Sequence, residues 1–134
     1  MDSGVIVTVT EKCQYDFSYL PASQSETIIL ARAVNVVPFY YASLWVRLHA
    51  IRIGGSATAT LIARGTNPSK YDQEKFTLSS AGISVNITGT PPELLTGSQS
   101  AIPPFYQIEL TATQANPATQ IYFEISIDLL LRAA

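Results

Sequence analysis

The sequence holds little with which to do chemistry. It has one cysteine and one histidine in 134 residues. A lone Cys13 excludes an internal disulfide. A lone His49 excludes a zinc set, a Ser-His-Asp triad or a Cys-His pair built on any second imidazole, and in a strand such a histidine is expected to be packed or hydrogen-bonded rather than catalytic. Charge is scarce too, at 13% of residues and a net −2, about half the usual share. That leaves no basic stripe to hold nucleic acid and no attraction to anionic membranes. No glycine-rich phosphate loop and no flagged pair of catalytic carboxylates occurs. No apolar run approaches the roughly 18 residues of a membrane span. The opening residues MDSGVIVTV have no basic stretch ahead of an apolar one, so no secretory leader is expected and the chain should be made in the cytoplasm. The tripeptide Asn86-Ile87-Thr88 fits a glycosylation acceptor but reads as strand sequence. The expectation is a protein that is not an enzyme, with no catalytic residue, no cofactor and no metal. Asp72 and Glu74 are the best calcium candidates, yet they stand between Lys70 and Lys75.

What is present is alternation. Val5, Val7 and Val9 alternate with Thr8 and Thr10, and Ile83, Val85 and Ile87 with Ser84, Asn86 and Thr88. In residues 25–37, Ile28, Leu30, Val34 and Val36 share a face with Arg32 among them. Near the end, Ile121, Phe123, Ile125, Ile127, Leu129 and Leu131 oppose Tyr122, Glu124, Ser126, Asp128 and Arg132. Period two marks half-buried strands, and the breaks fall at Asn-Pro, Gly-Gly, Pro-Pro and Gly-Ser. No segment has a helical pattern beyond one turn after Pro92. These features predict one all-β domain over residues 1–134, an antiparallel sandwich with a jelly roll among the arrangements it allows. A short N-terminal arm (residues 1–4) and a Pro-rich loop over 88–104, with four of the eight prolines, complete it. A second loop, 65–76, gathers the four charges named above.

Residues 43–65, SLWVRLHAIRIGGSATATLIARG, read as two strands joined in a hairpin at Gly54-Gly55. In that register His49 faces Thr60, Arg47 faces Ile62 and Trp45 faces Arg64, a spacing that permits a cation–π contact. One face, Leu44, Val46, Leu48 and Ala50 with Ala57, Ala59, Leu61 and Ala63, must be core. The other carries Trp45, Arg47, His49, Ile51, Ile53, Thr58, Thr60, Ile62 and Arg64, too apolar for a solvated face. Trp and Arg are enriched at interface cores, so Trp45, Arg47, Ile51, Ile62 and Arg64 are the candidate oligomer interface. The competing explanations are cover by a loop of the same chain, or a register slip near Ala50. Leu94, Leu95 and Ile102 stand in the Pro-rich loop as candidate anchors in a partner's pocket. Tyr40, Tyr41, Trp45, Tyr71 and Tyr106 form an alternative, an aromatic platform for carbohydrate.

The stretch HAIRIGGSATATLIARGTNPSKYDQEKF, the Pro-rich loop after it, and QIYFEISIDLLLR together resemble the small decoration or cement proteins on tailed-bacteriophage heads. The likeness is one of pattern and composition over most of the chain, without a diagnostic motif, so no residue role is carried over. It implies β-sandwich subunits in the virion, often homotrimers, that bind the major capsid protein or another virion protein and reinforce the shell. A carbohydrate- or receptor-binding module of a fibre or tail is the alternative. Neither reading involves nucleic acid or a membrane.

Overall fold

The computed structural model describes residues 4–68 and 76–133. Met1–Ser3 of the expected arm, and Lys70, Tyr71, Asp72, Glu74 and Lys75, lie outside them. Eight strands and no helix occur among the described residues: β1 (Gly4–Asp16), β2 (Ser25–Asn35), β3 (Tyr41–Ile53), β4 (Thr58–Pro68), β5 (Phe76–Asn86), β6 (Glu93–Ser100), β7 (Phe105–Thr113) and β8 (Ile121–Arg132). They form two four-stranded antiparallel sheets, ordered β1-β8-β3-β6 and β2-β7-β4-β5. We call these sheets A and B. Successive strands mostly change sheet, which makes this an eight-stranded jelly roll, as the alternation allowed. The first described residue pairs beside the last strand, Gly4 opposite Arg132.

The inward faces are those the alternation picks out. Leu44, Val46, Leu48, Leu61, Ile108, Leu110 and the odd-numbered apolar residues of β8 are almost wholly buried between the sheets. Two bulges in β2, between Ile29 and Ala31 and between Ala31 and Val34, keep Ile28, Leu30 and Val34 against the core while leaving Arg32 exposed. Tyr106 of β7 crosses the interior to donate its hydroxyl to Gln99 Oε1 of β6, a polar link between the sheets.

The hairpin at Gly54-Gly55 is not formed. β3 pairs with β6 and β8, whereas β4 pairs with β5 and β7, so the two glycines carry the chain from one sheet to the other. Both are needed there. Gly55 has a φ of 59°, and a Cβ on Gly54 would lie 3.0 Å from Cβ of Thr119. Thr119 Oγ1 donates to the Gly54 carbonyl at 2.8 Å. The buried amide of Gln114 holds Thr119 in turn, donating to its carbonyl at 2.9 Å and accepting its N–H at 3.0 Å. An arch buries the same apolar residues as a hairpin, but face to face across the core rather than side by side.

The Pro-rich loop is also shorter than expected. Residues 93–100 are β6, the edge strand of sheet A, paired with β3 from Leu48↔Glu93 to Tyr41↔Ser100. Its inward residue Gly97 lets β6 lie close to β5. A Cβ there would sit 2.9 Å from Ile83 Cγ2 and 3.0 Å from Val85 Cγ2.

Candidate interaction surface

With β3 and β4 in different sheets, the candidate interface splits. Trp45 and Arg47 lie on the outer face of sheet A, and Ile62 and Arg64 on the outer face of sheet B, so no single patch contains all four. Trp45 stands between Thr96 and Asp128, not opposite Arg64, and Ile62 stands beside Glu109, not opposite Arg47. Ile51 leaves the outer face and is half-buried. A register shift between Leu48 and Ala50, the slip weighed above, turns Ile51 and Ile53 inward to pack on the core opposite Phe123 and Ile121.

The leucine pair divides by the same parity. Leu94 is half exposed on the outer face of sheet A, opposite Arg47, while Leu95 opposite Val46 packs against the core. Ile102 also packs against the core. Of the proposed anchors only Leu94 points outward. The aromatic platform is likewise incomplete, since Tyr106 is fully buried. Its desolvation pushes the phenol well above the usual range.

The two outer faces differ in chemistry. On sheet B the ladder rungs carry hydroxyls that satisfy one another: Ser25 Oγ and Thr113 Oγ1 are 2.9 Å apart, Thr27 Oγ1 and Thr111 Oγ1 2.8 Å, and Thr60 Oγ1 donates to Asn86 Oδ1 at 3.1 Å. Next to them Arg64 Nε meets Glu109 Oε2 at 2.8 Å, between Ile29 and Ile62. This face is already paired for contact with water.

The outer face of sheet A is less polar. Its rungs run Gly4–Arg132–Tyr41–Ser100, Ile6–Leu130–Ser43–Ser98 and Thr8–Asp128–Trp45–Thr96, followed by Ser126–Arg47–Leu94. Ile6 is 59% exposed beside Leu130, which is buried although it points outward. Trp45 is half-buried, its Nε1 donating to Ser43 Oγ at 3.0 Å, and Ser43 Oγ in turn donates to the Gly97 carbonyl at 3.2 Å. The Arg132 guanidinium lies 6.0 Å from the Tyr41 ring centroid. His49 Nε2 pairs with Ser126 Oγ at 2.7 Å, the hydrogen-bonded histidine expected of a lone one. Farther along, the Gln14 amide donates to Glu124 at 3.1 Å and, with Lys12 at 3.4 Å, holds that carboxyl below the usual range. Ile6, Tyr41, Trp45 and Leu94, with the buried Leu130, are the apolar side chains of this face, set among Arg132, Asp128, Arg47 and hydroxyls. Sequence reasoning found Trp45 and Leu94 but missed Ile6 and Leu130. The signal for Leu130 was the run Leu129-Leu130-Leu131, which leaves no polar face to a strand.

No group of three or more potential metal ligands occurs among the described residues. No protein-family model matches the chain. No curated protein matches it in sequence. Solved structures do match the fold. The chain is similar to the VP2 subviral particle of infectious bursal disease virus, with 14% identity, 98% of this chain covered and a TM-score of 0.53. It is similar to the T=1 particles derived from the same virus, with 16% identity, 98% coverage and a TM-score of 0.53, and to the Gx strain of that virus, with 13% identity and a TM-score of 0.51. It spans about a third of the length of those chains, 33% of the first and 32% of the others. At these identities the likeness is one of fold.

Proposed function

We propose that this chain is a non-enzymatic structural subunit of a virion, a decoration or cement protein that self-associates and fastens to an assembled shell. The observation that carries the reading is the jelly roll itself, matched over 98% of the chain by the VP2 fold of virus particles. The chemistry agrees: the described residues offer hydroxyl ladders, a part-buried ion pair and an apolar sheet face, and a protein that works by complementary area needs nothing more. Symmetric repetition multiplies a modest contact over a shell. We place the contact on the outer face of sheet A, at Ile6, Tyr41, Trp45 and Leu94, and expect a homotrimer that binds a major capsid protein. The test is light scattering together with co-sedimentation on particles stripped of this subunit. Wild-type protein should be oligomeric and should pellet with the particles. Ile6→Lys with Leu94→Lys changes two exposed side chains and should leave circular dichroism unchanged while lowering the mass to that of a monomer, because a charge buried without a partner costs about 3–5 kcal/mol. Wild-type protein that stays monomeric at high concentration and does not pellet overturns the proposal.

A further inference from the structure

The geometry points to a second site, at the end of sheet A where β6 stops and β3 continues: a groove that takes an extended peptide segment as an added strand. β6 begins at Glu93, directly after Pro91-Pro92, which have no N–H to give a ladder. Its pairing with β3 therefore ends at Leu48, while β3 runs on against β8 to Ile53. The last rung is fixed by Gly54 N–H donating to the Gln120 carbonyl at 3.0 Å. Hydrogen-bonded rungs alternate in an antiparallel ladder, so Arg52 is turned toward β8, and the N–H and C=O groups of Ile51 and Ile53 point the other way, to the open edge. No strand among the described residues meets them there. The backbone of Phe17 and the Ser18 hydroxyl take up the carbonyl and N–H of Ile121, which fits the same alternation.

The space beside this edge is formed rather than merely vacant. A groove of about 640 Å³ runs between the sheets there. Its inward lining is aliphatic at Ile51, Ile53, Ala57, Ala59 and Ile87, beside threonines and Asn86, and the small side chains of Ala57 and of Ala59 in β4 leave the room. Among the described residues that line it the charged one is Arg52, exposed at the mouth, and the Glu93 carboxylate packs against Gly89, which also lines it. Unpaired backbone groups, an apolar floor and one cation define the occupant. It is a strand of about four residues, 13 Å long, with branched apolar side chains at alternate positions facing inward and an acidic residue between them facing Arg52. It would lie in line with β6 and complete the fourth strand of the sheet. This site does not depend on whether the chain belongs to a shell.

The probe is an acetylated, amidated pentapeptide, Thr-Val-Asp-Val-Thr, titrated into the full-length labelled protein and followed by amide NMR. The amides of residues 50–53 and 57–60 should shift saturably below about 1 mM. The same peptide N-methylated on both valines keeps its side chains but loses the donors that face β3, and should not bind. Replacing the aspartate by lysine should weaken binding about threefold to fivefold, and Arg52→Glu should reverse that preference. The N-methyl comparison uses wild-type protein and stands even if the variant fails to fold. Equal binding of the N-methylated peptide, no shift at several millimolar, or shifts confined to the Trp45 face would each overturn the site. Broadening of the same amides with protein concentration alone would also overturn it, by showing that a second copy occupies the edge.

Discussion

Tyr106 has its whole side chain inside the sandwich and one hydroxyl to satisfy, which it does by donating to Gln99 across the gap. Replacing it with phenylalanine leaves the half-buried Gln99 oxygen without that donor, and should cost about 1–2 kcal/mol in urea unfolding at neutral pH. The variant should also change the alkaline limb. Burial raises the folded-state pKa above the ordinary 10, so the fold holds the neutral phenol. The stability tied to that neutral form is complete below pH 10 and is lost as pH rises, because the unfolded chain ionises first. The phenylalanine variant has no such loss. The gap between the two proteins should therefore narrow as pH rises above about 10, and a constant gap would show that the phenol ionises freely in the fold.

At the scale of strands, alternation told which side chains are buried but not against which strand. Leu44, Val46 and Leu48 are core beside Ala57, Ala59 and Leu61 in either a hairpin or an arch, so the core was legible. The outer face was not, because a hairpin puts Trp45 and Arg64 on one surface and an arch puts them on two. The Gly54-Gly55 pair signals a change of direction and is silent on whether the partner strand is the next in sequence. The parity switch near Ala50 could be weighed from the sequence but not decided, because a one-residue shift leaves composition untouched and reverses every side chain beyond it. Gly97 fell within the expected Pro-rich loop, although it lies in β6 and sets the β5–β6 seam. Adding a methyl there must push Ile83 and Val85 aside, so Gly97→Ala should destabilise by about 1–3 kcal/mol and lower the thermal midpoint by roughly 3–12 °C, with valine worse. An unchanged midpoint would mean that the seam gives way freely.

The whole molecule is held by partners distant in sequence, since β1 pairs with β8 and β2 with β7. Such a chain must close long loops before its ladders form, which places folding toward the slow end for its size. The rung that joins Gly4 to Arg132 bears on this directly. The two ends leave the sandwich side by side, so a peptide linker of a few residues could join them into a ring without bending either strand. A ring has fewer shapes to explore when unfolded, and the native sheets are unchanged. For a closed loop of this length the difference is about 4–5 kcal/mol in favour of the folded form. A cyclised protein should melt well above the linear one with the same spectrum, and an unchanged melting point would mean that the first rung frays in solution. The same closeness lets this domain be spliced into a loop of a longer chain as a self-contained cassette, entering and leaving through one doorway.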